Sequence, residues 1–319
     1  MVTTKKVVKQ VADVGNWVLL KQLCEVQAPS GHEAPMKKFL IEYIQKQKKK
    51  WRVEPEIFQG EEFQDCLILK FGKPRTAIFA HMDSVGFTVR YFNQLVSIGS
   101  PDAEMGTTLV GQDKHGRIEC ELEFDKDNHA FYKFGRPLER GTPLTYKIHF
   151  RENKNFIQTA YLDNRLGIFS ALKVAETLKD GVIVFSCWEE HGGGSVPYLA
   201  KFIYEKWKVR QVLISDITWI SDGVEHGKGV AISLRDRNLP RRSFVDEIIA
   251  IAEKNKVMYQ LEVEGTGSSD GGELQRTAYP FDWCFVGAPE LSPHTPDEKV
   301  HKDDIKSMIQ LYTSLMAEL

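Results

Sequence analysis

Cysteine is scarce in this 319-residue chain, and its five cysteines are widely scattered. They are odd in number and include no close pair: Cys24, Cys66, Cys120, Cys187 and Cys284. This pattern argues against a disulfide framework and against a cysteine-based zinc knuckle. We therefore expect a protein of a reducing compartment, with the cytoplasm as its location.

Long apolar runs and an excess of charge are also missing. No stretch reaches the ~20 apolar residues that a transmembrane helix needs, and residues 1–10 carry lysines without the apolar core of a secretory signal. The 42 Lys and Arg nearly balance the 44 Asp and Glu, which gives a formal net charge of −2. We therefore expect no membrane partner and no nucleic-acid partner.

Helix-like and strand-like apolar patterns alternate through much of the chain. The predicted helices lie near 36–44 and at 166–178, 196–207, 243–255 and from 303 onward. The predicted strands lie at 66–71, 76–80, 182–187, 212–215, 230–234, 257–263 and 283–286. Apolar strands linked by helices predict an α/β fold, with a mostly parallel sheet sandwiched by helices.

Residues 87–158 break this alternation. They contain short alternating runs and many Gly, Asp and Asn turns, with no convincing helix. A long irregular excursion is the alternative, although compact domains rarely contain one. We interpret 87–158 as a small β-rich domain inserted into a larger α/β domain that comprises 1–86 and 159–319.

Residues that can bind metals follow four of the predicted strands directly. In an open α/β sheet, ligands bind beyond the carboxyl ends of the strands. The fifth candidate opens the helix that follows the inserted region. These candidates are His81 with Asp83, the pair Glu189–Glu190, Asp216, His294 and the helix-opening Asp163.

The donor types favour a dinuclear metal centre. Two imidazoles and three carboxylates, without a thiolate, suit zinc, and cobalt or manganese are also possible. Five protein ligands exceed the three of a catalytic mononuclear zinc site, but they suit two ions that share a bridging carboxylate. Asp83 follows His81 by two residues and could accept the outer N–H of its imidazole.

Each residue also has an ordinary structural explanation. Asp163 could be a helix N-cap, Asp216 a turn residue and His294 a structural loop histidine. The pair Glu189–Glu190 could be solvated surface charge, but it lies between a buried strand pattern and three glycines. The convergence of all these residues at one rim of the sheet favours the metal centre.

Five segments resemble the glutamyl-aminopeptidase and deblocking-aminopeptidase family of co-catalytic zinc peptidases. They match in order and spacing across roughly residues 20–315: FAHMDSVGF (79–87), LDNRLG (162–167), EEHGGG (189–194), SDIT (215–218) and SPHTPDE (292–298). The resemblance implies a metal-dependent aminopeptidase that removes amino-terminal residues from peptides. Members often assemble into large oligomers, partly through the inserted domain, so we expect a homo-oligomer.

The resemblance also implies a role for each candidate ligand. His81 and Asp216 would bind one ion, Glu190 and His294 the other, and Asp163 would bridge both.

Glu189 matches the general base of the family, and the resemblance implies a cis peptide bond between Asp163 and Asn164. Three positions depart from the pattern. Asn164 and Ser84 replace common acidic residues, and the late Gly-Thr-Asp stretch is GSSDGG at 267–272, which leaves the role of Asp270 open.

Other functions stay open at this point. A carboxypeptidase or an N-acyl amino-acid deacylase of the same fold would need a cation for the substrate carboxylate, and no arginine marks itself out for that task. A non-catalytic metal-binding protein is the alternative of another class. A glycosidase using Glu189 and Glu190 is disfavoured, because adjacent residues on an extended segment face opposite sides.

Overall fold

The computed structural model describes residues 15–319. The expectation that residues 1–10 carry no secretory signal lies outside the described residues. None of the helices from Gly15 to Leu319 combines the length and the apolar composition that crossing a membrane requires.

A large sheet of eleven strands forms the centre of the molecule. Its strands are β1 (Glu56–Gly60), β2 (Gln64–Phe71), β3 (Thr76–His81), β10 (Arg151–Glu152), β11 (Phe156–Thr159), β12 (Gly181–Ser186), β13 (Gln211–Trp219), β14 (Val230–Arg235), β15 (Tyr259–Val263), β16 (Asp282–Leu291) and β17 (Glu298–His301). The order is β1-β2-β12-β3-β13-β16-β17-β11-β10, with β14 beside β16 and β15 beside β14.

The middle of this sheet is parallel, and the strands that flank this middle group pair with it antiparallel. Strands β12, β3, β13 and β16 run in the same direction, and every residue of β3 and β12 is buried. Strands β2 and β17 pair antiparallel on the two sides of this group. Strands covered on both faces are continuously apolar, which is why these segments were predicted well.

Seven α-helices accompany the strands in residues 15–319. They are α1 (Val18–Cys24), α2 (Ala34–Gln47), α3 (Leu162–Ala175), α4 (Val196–Trp207), α5 (Arg242–Lys254), α6 (Asp270–Arg276) and α7 (Lys302–Glu318). Helix α3 packs on β3 and β13 and contacts α1 and α7, whereas α4 packs on β12 and contacts α6. The predicted α/β fold with a largely parallel sheet between helices is confirmed.

A second sheet is antiparallel throughout. It contains β4 (Gly86–Val89), β5 (Leu95–Ile98), β6 (Thr108–Asp113), β7 (Gly116–Phe124), β8 (Ala130–Lys133) and β9 (Pro143–Tyr146), in the order β5-β4-β9-β6-β7-β8. A bridge between Gln94 and Phe131 brings its two edges together, so that it curves like a barrel. It has its own apolar core.

The second sheet ends at Tyr146, the last residue of β9, whereas the inserted region was expected to end at residue 158. Strands β10 and β11 pair with each other, and β11 also pairs with β17, so both belong to the large sheet. Their alternating residues resemble those of the second sheet, so periodicity alone did not indicate which sheet they join.

Candidate metal centre

The first half of the candidate centre consists of His81, Asp163 and Asp216. His81 is the last residue of β3, and Asp216 lies in β13, the next strand of the parallel sheet. The Nε2 atom of His81 is 3.2 Å from Asp163 Oδ1 and 3.5 Å from Asp216 Oδ2. One imidazole and two carboxylates therefore converge on one point.

The second half consists of His294 and Glu190, together with the other oxygen of Asp163. The Nε2 atom of His294 is 3.3 Å from Asp163 Oδ2 and 3.2 Å from Glu190 Oε2. Asp163 thus turns one carboxylate oxygen toward each half, which is the arrangement that a bridging ligand requires.

The spacing of these donor atoms fits metal ions. Tetrahedral ligands at about 2.0–2.1 Å from zinc lie about 3.3–3.4 Å from one another, close to the observed separations. Asp163 Oδ1 and Glu190 Oε1 are buried and accept no hydrogen bond. Buried carboxylate oxygens without a donor are costly, and a bound cation would stabilise them. Both groups of donors therefore suit a divalent ion.

Asp83 contacts groups that belong to both halves of the candidate centre. Its Oδ1 is 3.4 Å from His81 Nδ1 and accepts the Glu189 N–H at 3.2 Å. Its Oδ2 accepts from Glu190 N at 3.0 Å and from Ser30 Oγ at 2.7 Å. The predicted partner of His81 therefore also holds the backbone that carries Glu189 and Glu190.

Glu189 lies beside the first half. Its Oε2 atom is 4.0 Å from His81 Nε2, and its side chain is 16% exposed. Burial, together with the negative charges of Asp216 and Asp270, raises the pKa of this carboxyl well above its ordinary value. A carboxyl of this kind can accept and hold a proton near neutral pH.

The negative surroundings also change the titration of both imidazoles. Burial alone would lower the pKa of His81, but the carboxylates of Asp216 and Asp163 outweigh it and raise this pKa well above its usual value. For His294, Asp163 and Glu190 overcome the effect of burial and raise the pKa to about 12. Each imidazole thus lies where positive charge is strongly favoured.

Unusual backbone geometry surrounds the candidate ligands. Tyr161, Trp188 and His294 have φ values of 68°, 63° and 62°, in the left-handed region that residues other than glycine rarely occupy. The peptide bond between Asp163 and Asn164 is cis, as the resemblance implied. Left-handed backbone at residues other than glycine often occurs at functional sites.

The second sheet and its connections hold His294. Nδ1 of His294 is 3.2 Å from the carbonyl oxygen of Ser100, which can only accept, so Nδ1 carries a proton and Nε2 is the nitrogen that faces Asp163 and Glu190. The carbonyl of His294 accepts from Asp102 N and from Tyr146 Oη, both at 3.0 Å. Gly99 lies so close that an added Cβ would be 2.9 Å from Glu190 O.

Other residues of the site were not assigned a role from the sequence. Glu298 Oε2 accepts the backbone N–H of Asp163 at 3.1 Å. Asp270, whose role was open, accepts from Ser186 Oγ at 2.5 Å at the end of β12. Arg165 is fully buried and donates to the carbonyl oxygens of Met82 and Asp83. Glu298 is the last residue of the motif SPHTPDE, and its acidic side chain was the only signal in the sequence that could have indicated a role.

This chain belongs to the M42 glutamyl aminopeptidase family, whose model matches residues 133–311, more than half of the sequence. A curated protein of Acetivibrio thermocellus described as "Putative aminopeptidase" is 25% identical over 331 aligned positions. The alignment covers 92% of this chain and 96% of that protein.

Two solved structures show the same fold. Aminopeptidase APDkam598 of the archaeon Desulfurococcus kamchatkensis superposes with a TM-score of 0.84 at 20% identity, covering 96% of each chain. The TET1 peptidase of Pyrococcus horikoshii gives 0.77 at 20% identity, over 94% of this chain and 99% of that one. That peptidase is described as assembling into a tetrahedron or a large octahedral shell.

Proposed function

We propose that this chain is an aminopeptidase that uses two divalent metal ions, zinc being the best match to the donors. One observation carries the proposal: Asp163 presents its two oxygens, at 3.2 and 3.3 Å, to two histidines that each face a further carboxylate. Membership of the M42 family and the description of the Acetivibrio relative support removal of amino-terminal residues.

In this proposal His81 and Asp216 hold one ion, Glu190 and His294 hold the other, and Asp163 bridges them. When bound, the ions would polarise the scissile carbonyl and lower the pKa of water toward neutrality. Asp83 fixes the orientation of the His81 ring.

Glu189 is the proposed general base. It accepts the proton of the attacking water and returns a proton to the leaving amine, a contribution of typically 10²–10⁴-fold. Asp83 accepts hydrogen bonds from the N–H groups of Glu189 and Glu190, and these bonds keep the base close to the first half.

We further propose that the second sheet serves as an inserted domain for oligomer formation and substrate access. The shells described for the Pyrococcus relative make a homo-oligomer the natural expectation. The contact of Ser100 with His294 places this sheet directly beside the candidate centre. The substrates would be peptides with a free amino terminus, and the cytoplasm remains our prediction for the location.

A carboxypeptidase or N-acyl amino-acid deacylase is less well supported. Either would use a cation for the substrate carboxylate. Arg165, the fully buried arginine in the described residues, is already occupied by the carbonyl groups of Met82, Asp83 and Val26. The presence of Glu189 beside the candidate ligands argues against a purely metal-binding protein.

A panel of short peptides with free or acetylated amino termini tests the proposal. Products are read by mass spectrometry, with chelator and again after zinc, cobalt or manganese is restored. Stepwise loss of residues from free amino termini only, abolished by chelator, is the expected result. Cleavage of acylated substrates or of carboxyl ends would replace the proposed reaction with that of a deacylase or a carboxypeptidase.

A further inference from the structure

A group of buried oxygen atoms without partners lies behind the candidate centre. Glu290 in β16 and Glu298 in β17 are 0% and 1% exposed, and Thr159 in β11 is 0% exposed. Both carboxylate oxygens of Glu290, Oε1 of Glu298 and Oγ1 of Thr159 lack a hydrogen-bond partner. Four orphaned oxygens in one region are unusual, because buried polar atoms are normally paired.

The strand register places the three side chains on one face of the sheet. Thr159 is directly opposite Glu298, and Glu290 is directly opposite Val300. Directly paired residues share a face, and so do residues two apart on one strand. Glu290 and Glu298 are therefore diagonal neighbours, a relation in which Cα atoms lie about 7–8 Å apart and long side chains can meet.

The cluster lies directly next to the proposed bridging ligand. The second oxygen of Glu298 accepts the Asp163 N–H at 3.1 Å. The strongest charged neighbours of Glu290 are Glu298 and then Asp163. No side chain in residues 15–319 donates a hydrogen bond to either oxygen of Glu290.

The surrounding charge calls for more positive charge than the dinuclear centre supplies. Buried carboxyl groups here are Asp83, Asp163, Asp216, Asp270, Glu290 and Glu298, and the half-buried Glu189 and Glu190 adjoin them. Two divalent ions and the guanidinium of Arg165 contribute five positive charges. The eight carboxyl groups outnumber these five positive charges, and buried charge without compensation is strongly unfavourable.

We propose that Glu290, Glu298 and Thr159 form a third cation site, separate from the dinuclear centre and specific for a hard divalent ion. All its donors are oxygens, which suit magnesium, manganese or calcium, whereas the imidazoles of the dinuclear centre suit zinc. The ion would neutralise the two glutamates and hold β16 and β17 against the start of α3, where Asp163 lies. A proton shared by the two glutamates is the competing explanation.

The test counts bound manganese. The full-length protein, freed of metal by chelator, is equilibrated with manganese, and the ions per chain are measured by inductively coupled plasma mass spectrometry. Glu290→Gln keeps the shape but removes one charge, and we expect it to bind one ion fewer than the wild type. Glu262→Gln is the matched control, since Glu262 is 4% exposed but accepts from Thr218 Oγ1.

The difference of one ion does not depend on the dinuclear centre or on peptidase activity, so the two proposals can fail separately. A second measurement adds manganese to zinc-loaded protein. The wild type should bind one further ion without releasing zinc, and Glu290→Gln should bind it at least about tenfold more weakly.

Equal manganese counts for the wild type and Glu290→Gln would overturn the site and favour the shared proton. If Glu290→Gln does not fold, the same manganese measurement is made on Thr159→Val. This variant removes one neutral donor and should weaken the manganese site by about tenfold, and an unchanged affinity would also overturn the proposal.

Discussion

The two halves of the candidate centre are built in different ways. His81 and Asp216 are set by neighbouring parallel strands, and their side chains are 2% and 8% exposed. His294 lies beyond β16 on left-handed backbone, its side chain is 24% exposed, and Ser100 and Tyr146 hold it from the direction of the second sheet. His81 and Asp216 of the first half lie on strands of the large sheet, whereas the position of His294 in the second half depends on how the two sheets meet.

This difference predicts that the two metal ions are held unequally. A buried site on rigid strands keeps its geometry when a distant contact is lost. A site that relies on a loop histidine and on contacts between sheets loses it more easily. The ion of the second half should therefore leave first during chelation and respond to substitutions in the second sheet.

Asp163→Ala should remove the distinction between the halves altogether. Asp163 supplies an oxygen to each half, so both ions should be lost and the peptidase rate should fall below that of any other variant described here. Metal analysis of the purified variant measures this. Near-full occupancy of two ions would contradict the bridging role.

Glu189→Gln should abolish catalysis while both halves remain intact. The amide keeps the size of the side chain but does not act as a base, so the rate should fall about 10²–10⁴-fold. Metal content should stay close to that of the wild type. Retained activity in a fully loaded variant would rule out Glu189 as the base.

Tyr146→Phe should weaken the second half only. The variant loses the hydroxyl that donates to the carbonyl of His294 at 3.0 Å. Loss of an outer partner typically costs 10–100-fold in metal affinity. We expect one ion to be released faster to a colorimetric chelator while the other is unaffected.

Tyr132→Phe is the control for Tyr146→Phe. Tyr132 is a buried tyrosine of the same sheet, and its hydroxyl accepts from Leu138 N at 2.8 Å, away from His294. Faster release of both ions in Tyr146→Phe, or equal release in the two variants, would contradict the unequal halves.

Glu33→Gln should affect stability more than activity, and in a pH-dependent way. Glu33 Oε1 accepts from Gly31 N at 2.9 Å and from Trp188 N at 3.2 Å, just before Glu189–Glu190. Burial, with Asp83 adding, raises the pKa of Glu33 to about 7. As pH rises above the ordinary pKa of a glutamate, Glu33 ionises in the unfolded chain but stays protonated in the folded protein. The free energy of unfolding therefore falls with rising pH until Glu33 also ionises in the folded protein.

The amide of Glu33→Gln accepts the same two hydrogen bonds and does not ionise. The variant should therefore be more stable than the wild type at pH 8, by up to about 3 kcal/mol, with a gap that shrinks toward pH 5. Urea unfolding at both pH values measures this. Glu42→Gln, at an exposed position of α2, is the control, and an equal gap at both pH values for Glu33→Gln would reject the explanation.

The large sheet was predictable because its signal is local. Strands β3, β12 and β13 are uninterrupted apolar runs, and the residues that end or follow them were recognised by position. The short helix α6 and the strands β1 and β17 were missed. Each spans only four to seven residues, too few for a clear periodic pattern.

The support of the second half was not predictable by the same means. The contact between Ser100 and His294 joins residues 194 positions apart. The sequence pattern around Ser100 does not indicate this contact, and neither does the pattern around His294. The orphaned Glu290 was hidden because a glutamate near the end of a strand ordinarily indicates exposure. The three glycines at 192–194 differ in their surroundings, because an added Cβ would lie 2.8 Å from Glu273 Cγ at Gly193 and 3.3 Å from Trp188 Cε3 at Gly194, but would touch nothing within 4 Å at Gly192. Gly192 instead provides left-handed backbone, with φ 106°.

Anomalous diffraction from crystals grown with zinc shows directly whether the candidate centre holds two metal ions. We expect two strong peaks about 3.5–4 Å apart, one between His81 and Asp216 and one between Glu190 and His294, with an oxygen of Asp163 at each. Partial loss after brief soaking in chelator should affect the peak beside His294 first. A single peak, or peaks that these five residues do not contact, would contradict the dinuclear centre and the mechanism built on it.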